Sequence, residues 1–353
     1  MGIVFGILLF SLLVFIHELG HFVAAKASGV QVNEFSMFMG PAIFKKQVGE
    51  TLYSIRCIPF GGYCAMEGED EGSDNPRSFG KAKWWKRLII LVAGAAMNFL
   101  AGLLIYAIIF MPVKQIATPV VAEFMDCCIF NNETGLQVGD EILEIDGEKI
   151  YVNTDITTIL TINNMLEHDV VILRDGQKIV FNDFLMAHTH TDENGEEYLH
   201  YGFSYGQAED VNFWGKLDYI WRVAIDNVRM VRLSLKMLFT GKAGFSDMMG
   251  PVGIVQQISE VTEASATATD ALYNVLSFGG FITINRAVMN MLPIPALDGG
   301  RVFFLLVTTA VEAITHKKIN PKYEAYINGA GMVLLLGLMA LILFKDIFAI
   351  FKR

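Results

Sequence analysis

Residues 88–113 form a run of 26 positions without a charged side chain, and Asn98 is the one strongly polar residue among them. About 20 apolar residues suffice to cross the hydrocarbon of a bilayer. Two further segments have the same character. Residues 2–25 are apolar apart from Ser11 and the cluster His17, Glu18 and His21, and residues 327–344 are apolar apart from Asn328 and run up to Lys345. The whole chain is 53% hydrophobic and only 18% charged, whereas a soluble domain averages about 25% charged. The first segment reads as a span and not as a signal peptide, because no Lys or Arg precedes it and its apolar stretch carries two histidines and a glutamate. A fourth candidate, 271–315, is broken by Pro293, Pro295 and Gly299-Gly300 and contains Arg286. Discontinuous helices at membrane depth are tolerated where they line a site enclosed by protein.

Charge then orients the chain. Residues 26–87 carry nine Lys/Arg and seven acids, residues 301–324 four and two, and residues 113–270 ten and twenty-five. Arg77, Lys81, Lys83, Lys86 and Arg87 crowd the start of the second span, and basic residues near span ends stay in the cytoplasm. The reading places 26–87 and 301–324 inside, with the acidic middle and both termini outside. A net charge of −10 speaks against nucleic acid as a partner. Four cysteines (Cys57, Cys64, Cys127, Cys128) lack zinc-finger spacing and are too few for a disulfide framework.

Between the spans, residues 31–66 alternate aromatic and polar positions and read as short strands with turns, a sheet that dips toward the membrane. Residues 117–206 read as a separate mixed domain with turn signals at Asp146-Gly147 and Asp175-Gly176. Residues 213–240 repeat apolar side chains at helical spacing, with Lys216, Arg222, Asp226, Arg229, Arg232 and Lys236 between them, as an amphipathic helix does.

The chemistry concentrates in His17-Glu18-Leu19-Gly20-His21. On a helix His17 and His21 lie one turn apart, so both imidazoles reach one ion, and zinc accepts neutral imidazole readily. Glu18 lies beside that ion, placed to take a proton from water. Ionisable groups inside a span are costly and point to function; a polar cluster that only packs helices is the competing reading. A third ligand is required. Glu312 and His316 are candidates, and Asp298 is better placed, in "MNMLPIPALDGGR" (289–301). Asp298 reads equally well as the N-cap of a helix starting near Arg301. Asn290 is suited to hydrogen-bond a substrate backbone or to pack helices. His188, His190 and His200 match no strong ligand pattern and read as part of a solvated loop.

These motifs resemble the site-2 protease family, in its bacterial RseP-like branch of intramembrane zinc metalloproteases. The resemblance spans nearly the whole chain. It rests on His17–His21 in a first span and "NMLPIPALDGG" (290–300) in a third, with support from "YSIRCIPFGGYCAMEGE" (53–69), "PRSFGKAKWWKRLIILVAGAAMNF" (76–99) and "GPVGI" (250–254). It implies Zn2+ held by His17, His21 and Asp298, Glu18 as general base, and Asn290 at the substrate strand. The implied fold is an α-helical polytopic membrane protein with about four transmembrane helices, the third broken. Its first half is 1–112, with the β-region 31–66. One inserted PDZ-like α+β domain (117–206) and the amphipathic helix (213–240) follow, and the second half is 250–353. The implied function is intramembrane cleavage of regulatory proteins such as anti-sigma factors, or of signal-peptide remnants, in the bacterial inner membrane, with the lipid bilayer as the other partner. Two departures stand out: Gly94-Ala95 where the family has Gly-Pro, and Arg286-Ala287 where it has Leu-Gly. Neither pair is expected to touch the metal residues. The alternative is a non-enzymatic membrane scaffold that binds exported peptides through its PDZ-like domain. A scaffold has no use for Glu18. A transporter would show inverted repeats, and none is found.

Overall fold

A largely apolar sequence without proline gives one long helix, α1 (Gly2–Ser28). The computed structural model describes residues 2–69, 73–125, 135–191, 197–244, 248, 250–263, 265–316 and 322–352. Helix α1 stops at Gly29, whose φ of 80° suits glycine. The amides of Gly29 and Val30 turn back onto the carbonyls of Lys26 (3.1 Å) and Ala25 (3.0 Å), and Val30 buries its side chain against Ala25. This closes the last turn and launches the chain into a sheet.

That sheet is not the expected series of short strands. It consists of two long, bent strands, β1 (Val32–Val48) and β2 (Thr51–Met66). Positive φ at Phe38, Gly40 and Gly61 bends them. Each therefore folds over the other, and the ribbons lie in the order 62–66, 32–37, 51–55, 44–48. The 62–66 ribbon is an outer edge, paired on one side with 32–37. Phe35, Cys64 and Met66 bury against Ala25 of α1, Ile90 and Leu91 of α2 (Trp84–Phe110) and Leu305. The Glu50 turn is tied down by Arg77 and Lys26 (2.7 Å), and Arg77 beside its carboxyl holds Glu50 down at about 2.

The chain divides into two compact units, Met1–Tyr106 with Met230–Arg353, and Ala107–Arg229. In the second unit, β3 (Gln115–Ala117) and β4 (Val121–Phe124) precede β5 (Glu141–Ile145) and β6 (Glu148–Lys149). Then come α3 (Thr154–Asn163), β7 (Glu167–Arg174) and β8 (Gln177–Leu185). The order β6-β5-β7-β8 makes one antiparallel sheet. Asp146-Gly147 and Asp175-Gly176 adopt positive φ and close its two hairpins, as their turn chemistry requires. Strands β9 (His188–Thr191) and β10 (Glu197–His200) pair as a separate two-stranded sheet, so His188, His190 and His200, read as part of a solvated loop, lie on strands. Strands β11 (Phe203–Tyr205) and β12 (Ala208–Asp210) return to β4 and β3. Leu136, Ile142, Ile145, Ile156, Ile172 and Met186 are fully buried at the centre. Cys127 and Cys128 lie outside the described residues.

Helix α4 (Phe213–Phe239) follows the amphipathic stretch, with one revision. Asp226 and Arg229, assigned to the polar face, are buried: Arg229 pairs with Asp226 and, at 2.7 Å, with Asp155 of α3. Burial, with the neighbouring Asp155 carboxylate, pushes the Asp226 carboxyl above the usual carboxylate range.

The other unit resumes at Met230, within α4, and continues with α5 (Pro251–Glu263). Gly250 and Gly253 donate to Asp346 Oδ2 (3.0 Å each), a carboxylate cap on the start of that helix. The expected broken span is two helices, α6 (Ala268–Asn290) and α7 (Asp298–Thr315). Pro293 and Pro295 lack the amides a helix would use, so 291–297 folds back over the first turn of α7. A Cβ on Gly299 would lie 2.3 Å from the Met291 carbonyl, and one on Gly300 2.3 Å from the Ile294 oxygen. The Gly-Gly pair permits that close approach. Helix α8 (Lys322–Lys352) follows. Among the described residues three helices are long and apolar enough to cross a membrane, over Phe10–Ser28, Trp84–Phe110 and Tyr326–Asp346.

Candidate metal centre

Helical spacing alone brings His17 and His21 together: their rings meet edge-on with centroids 4.7 Å apart and Nε2 atoms 3.2 Å apart. The turn at 291–297 delivers Asp298 to the same point. Its Oδ2 lies 3.0 Å from His17 Nε2 and 3.4 Å from His21 Nε2. A tetrahedral zinc with bonds of about 2.0–2.1 Å sets its ligand atoms about 3.3–3.4 Å apart. The observed separations match that spacing. Despite its short contacts, Asp298 Oδ2 is buried and makes no aligned hydrogen bond. Two imidazole nitrogens and a carboxylate oxygen thus lie close enough together to share one cation.

Asp298 is not the cap considered above. It is the first residue of α7, Leu297 holds the capping position, and no side chain caps that helix. Glu312 stands 14 residues further along α7, about 21 Å at 1.5 Å per residue, and His316 ends that helix exposed. Neither joins the cluster.

The outer nitrogens of both imidazoles are also engaged. His21 Nδ1 lies 2.8 Å from the Ile90 carbonyl, so it carries the proton and donates it there, leaving Nε2 free to bind metal. His17 Nδ1 faces the amide of Asn98 at 3.3 Å. Asn98 is 0% exposed, and its Oδ1 has no hydrogen-bond partner. An asparagine amide turned over occupies the same space with its oxygen and nitrogen exchanged. Turned over, Asn98 accepts from His17 Nδ1–H, and both imidazoles present Nε2. Sequence reasoning noticed Asn98 without giving it a task; the signal was its isolation in an uncharged 26-residue run.

Asn290, the last residue of α6, brings Nδ2 to 3.3 Å from His17 Nε2. Glu18 turns toward the edge ribbon of the sheet, its Cγ 3.7 Å from where a Cβ on Gly62 would lie. Arg286 stacks its guanidinium over Phe10, 5.5 Å from the ring centroid, a cation–π contact that accommodates part of its charge.

The Gly94-Ala95 pair does touch the candidate metal residues, contrary to expectation, but through Gly94, which is not the residue of the pair that departs. A Cβ there would fall 2.3 Å from His21 Nε2 and 2.7 Å from His17 Cε1. Gly94 is the wall against which both rings rest. Gly94→Ala is expected to displace them and to weaken zinc binding by at least about tenfold, the lower range for disturbing a ligand's support. Metal analysis of the purified variant checks this, and parent-level zinc would overturn it.

Peptidase family M50 matches residues 5–338. A Clostridium perfringens protein bearing a zinc-metalloprotease name is 34% identical over 352 residues, 98% of each chain. A Fusobacterium nucleatum protein with the same kind of name is 32% identical over 364 residues, covering both chains fully. The Bacillus subtilis regulator of sigma-W protease RasP is 27% identical over 431 residues, 98% of each chain.

Proposed function

The chain belongs to peptidase family M50 and is a zinc metalloprotease of the site-2 protease family, and from that premise we propose that it cuts other proteins within their membrane-spanning segments. Membership sets aside the non-enzymatic scaffold. One observation carries the proposal: the convergence of His17, His21 and Asp298 involves α1, a helix long and apolar enough to cross a membrane.

In this reading His17, His21 and Asp298 hold the zinc. Zinc held by such a set supplies Lewis acidity, enough to make water a nucleophile at neutral pH and to polarise a peptide carbonyl. Glu18 takes the proton from the attacking water and delivers it to the departing amine. Asn290 directs its amide N–H at the substrate backbone beside His17. A helical substrate hides its carbonyls in its own hydrogen bonds, so it must be extended before it is cut. The 62–66 ribbon, an unpaired edge running past Glu18, is suited to take up that extended segment as an added strand.

The substrates in this reading are single-span regulators such as anti-sigma factors, or signal-peptide remnants, and the site of action is the bacterial inner membrane. The name of the B. subtilis relative supports the regulatory class. The broken α6–α7 segment serves as a third of four spans, residues 117–206 as a PDZ-like domain, and that domain and both termini lie outside the cytoplasm. The basic cluster 77–87 and the acidic 113–270 support this orientation.

The test is to map the cut. Purified enzyme is incubated with a single-span reporter in lipid, and the product ends are read by mass spectrometry. New ends inside the apolar segment are expected. Cuts confined to the flanking soluble regions would sink the proposal.

A further inference from the structure

Three of the seven histidines fall within 13 residues, at 188, 190 and 200. Their spacing is meaningless until the strands are paired. In β9, His188 and His190 are two residues apart and so point to the same face. In the β9–β10 register His200 stands directly opposite His188, and Tyr198 opposite His190. Opposed residues on antiparallel strands share a face, which puts all three imidazoles on one side of the two-stranded sheet. The ring centroids of His188 and His200 are 5.3 Å apart, and those of His190 and His200 6.2 Å. His188 Nδ1 is buried without a hydrogen-bond partner, a condition native structures rarely leave unexplained.

We infer that His188, His190 and His200 form a second metal site, which takes a borderline transition-metal ion, Zn2+ foremost, and uses none of the residues of the first. The geometry can be checked against simple arithmetic. A metal about 2.0–2.1 Å from an imidazole nitrogen lies about 3.2 Å from that ring's centroid, so tetrahedral coordination separates two centroids by about 5.2 Å. The His188–His200 pair already has this spacing. Drawing His190 in by about 1 Å is a side-chain rotation on an exposed strand position. Three imidazoles leave the fourth position to water.

The fold supplies a use for such an ion. The β9–β10 pair is a two-stranded sheet of its own, and an isolated hairpin of this size is marginally stable in water. A metal bound to His188 and His190 of one strand and His200 of the other ties the two strands together. Imidazole ligands suit Zn2+, Ni2+ and Cu2+ and discriminate against Mg2+ and Ca2+, which take oxygen ligands.

The experiment counts metal on the full-length protein in mild detergent, stripped with chelator and dialysed against micromolar free zinc. Two equivalents per chain are expected for the parent and one for His200→Ala. His190→Gln, a change at an exposed position, guards against misfolding of the first variant and is also expected to bind one. The double variant His17→Ala/His21→Ala is expected to keep one equivalent, which separates this site from the catalytic one. With cobalt in place of zinc it should show the visible absorption of a low-symmetry imidazole site. A parent that binds a single equivalent, a His200→Ala protein that still binds two, or a double variant that binds none would each overturn the inference.

Discussion

Glu18→Gln is expected to lower cleavage of a single-span substrate by at least about 10²-fold, the lower range for removing a general base, with zinc at the parent level. Glutamine keeps the length and hydrogen-bonding reach of the side chain but cannot accept the proton that water must lose. The proposed ligand atoms belong to His17, His21 and Asp298, none of which is changed. Activity and metal content are therefore expected to separate, and their separation is the informative result. Cleavage is followed by gel on a membrane reporter, and zinc by metal analysis of the same preparation. A variant that cuts at near-parent rate would remove Glu18 from the mechanism. A variant that loses its zinc would make it a residue of the metal shell.

For Asp298→Asn the expectation is reversed: metal and activity are lost together. Asparagine fits the same space at the first position of α7, where no side chain caps the helix, so the fold has little reason to suffer. What disappears is the anionic oxygen 3.0 and 3.4 Å from the two imidazole nitrogens. Removing an outer partner of a ligand costs about 10–100-fold in metal affinity, and removing the ligand itself is expected to exceed that. Zinc titration of the stripped protein measures the difference. A folded Asp298→Asn protein with parent affinity for zinc would leave His17 and His21 in need of another third ligand.

How much of this was legible beforehand differs from residue to residue. The His17–His21 pair was readable because a four-residue spacing is one helical turn whatever surrounds it. The Asp146-Gly147 and Asp175-Gly176 turns were readable because few sequences tolerate two successive positive φ values. Asp298 was not readable in the same way. A carboxylate after a proline break and before two glycines fits a helix start as well as a metal site, and resemblance to a family tipped the balance. The structure shows why the local signal was ambiguous: Asp298 does begin a helix, and the way 291–297 folds back aims its side chain away from the helix it starts. Asp226 and Arg229 were misassigned for a related reason. Their positions along α4 are polar, yet Asp155, some 70 residues earlier, gives the arginine a buried partner.

By itself the sequence determined the stretches apolar enough to cross a membrane, the first two metal-binding candidates, the candidate base beside them and the existence, though not the ends, of the principal helices. These follow from local properties: hydrophobic length, the 3.6-residue period, and the backbone preferences of glycine and proline. Tertiary structure alone decided that Asp298 completes the set from 281 residues away, that Asn98 backs His17, that Gly94 walls the site, and that three scattered histidines share one face. It also decided that two strands bend into four ribbons with a free edge beside Glu18. Each depends on which distant segments lie side by side and in what register. Packing of side chains between segments sets that register, and the periodicity within any one segment carries no record of it.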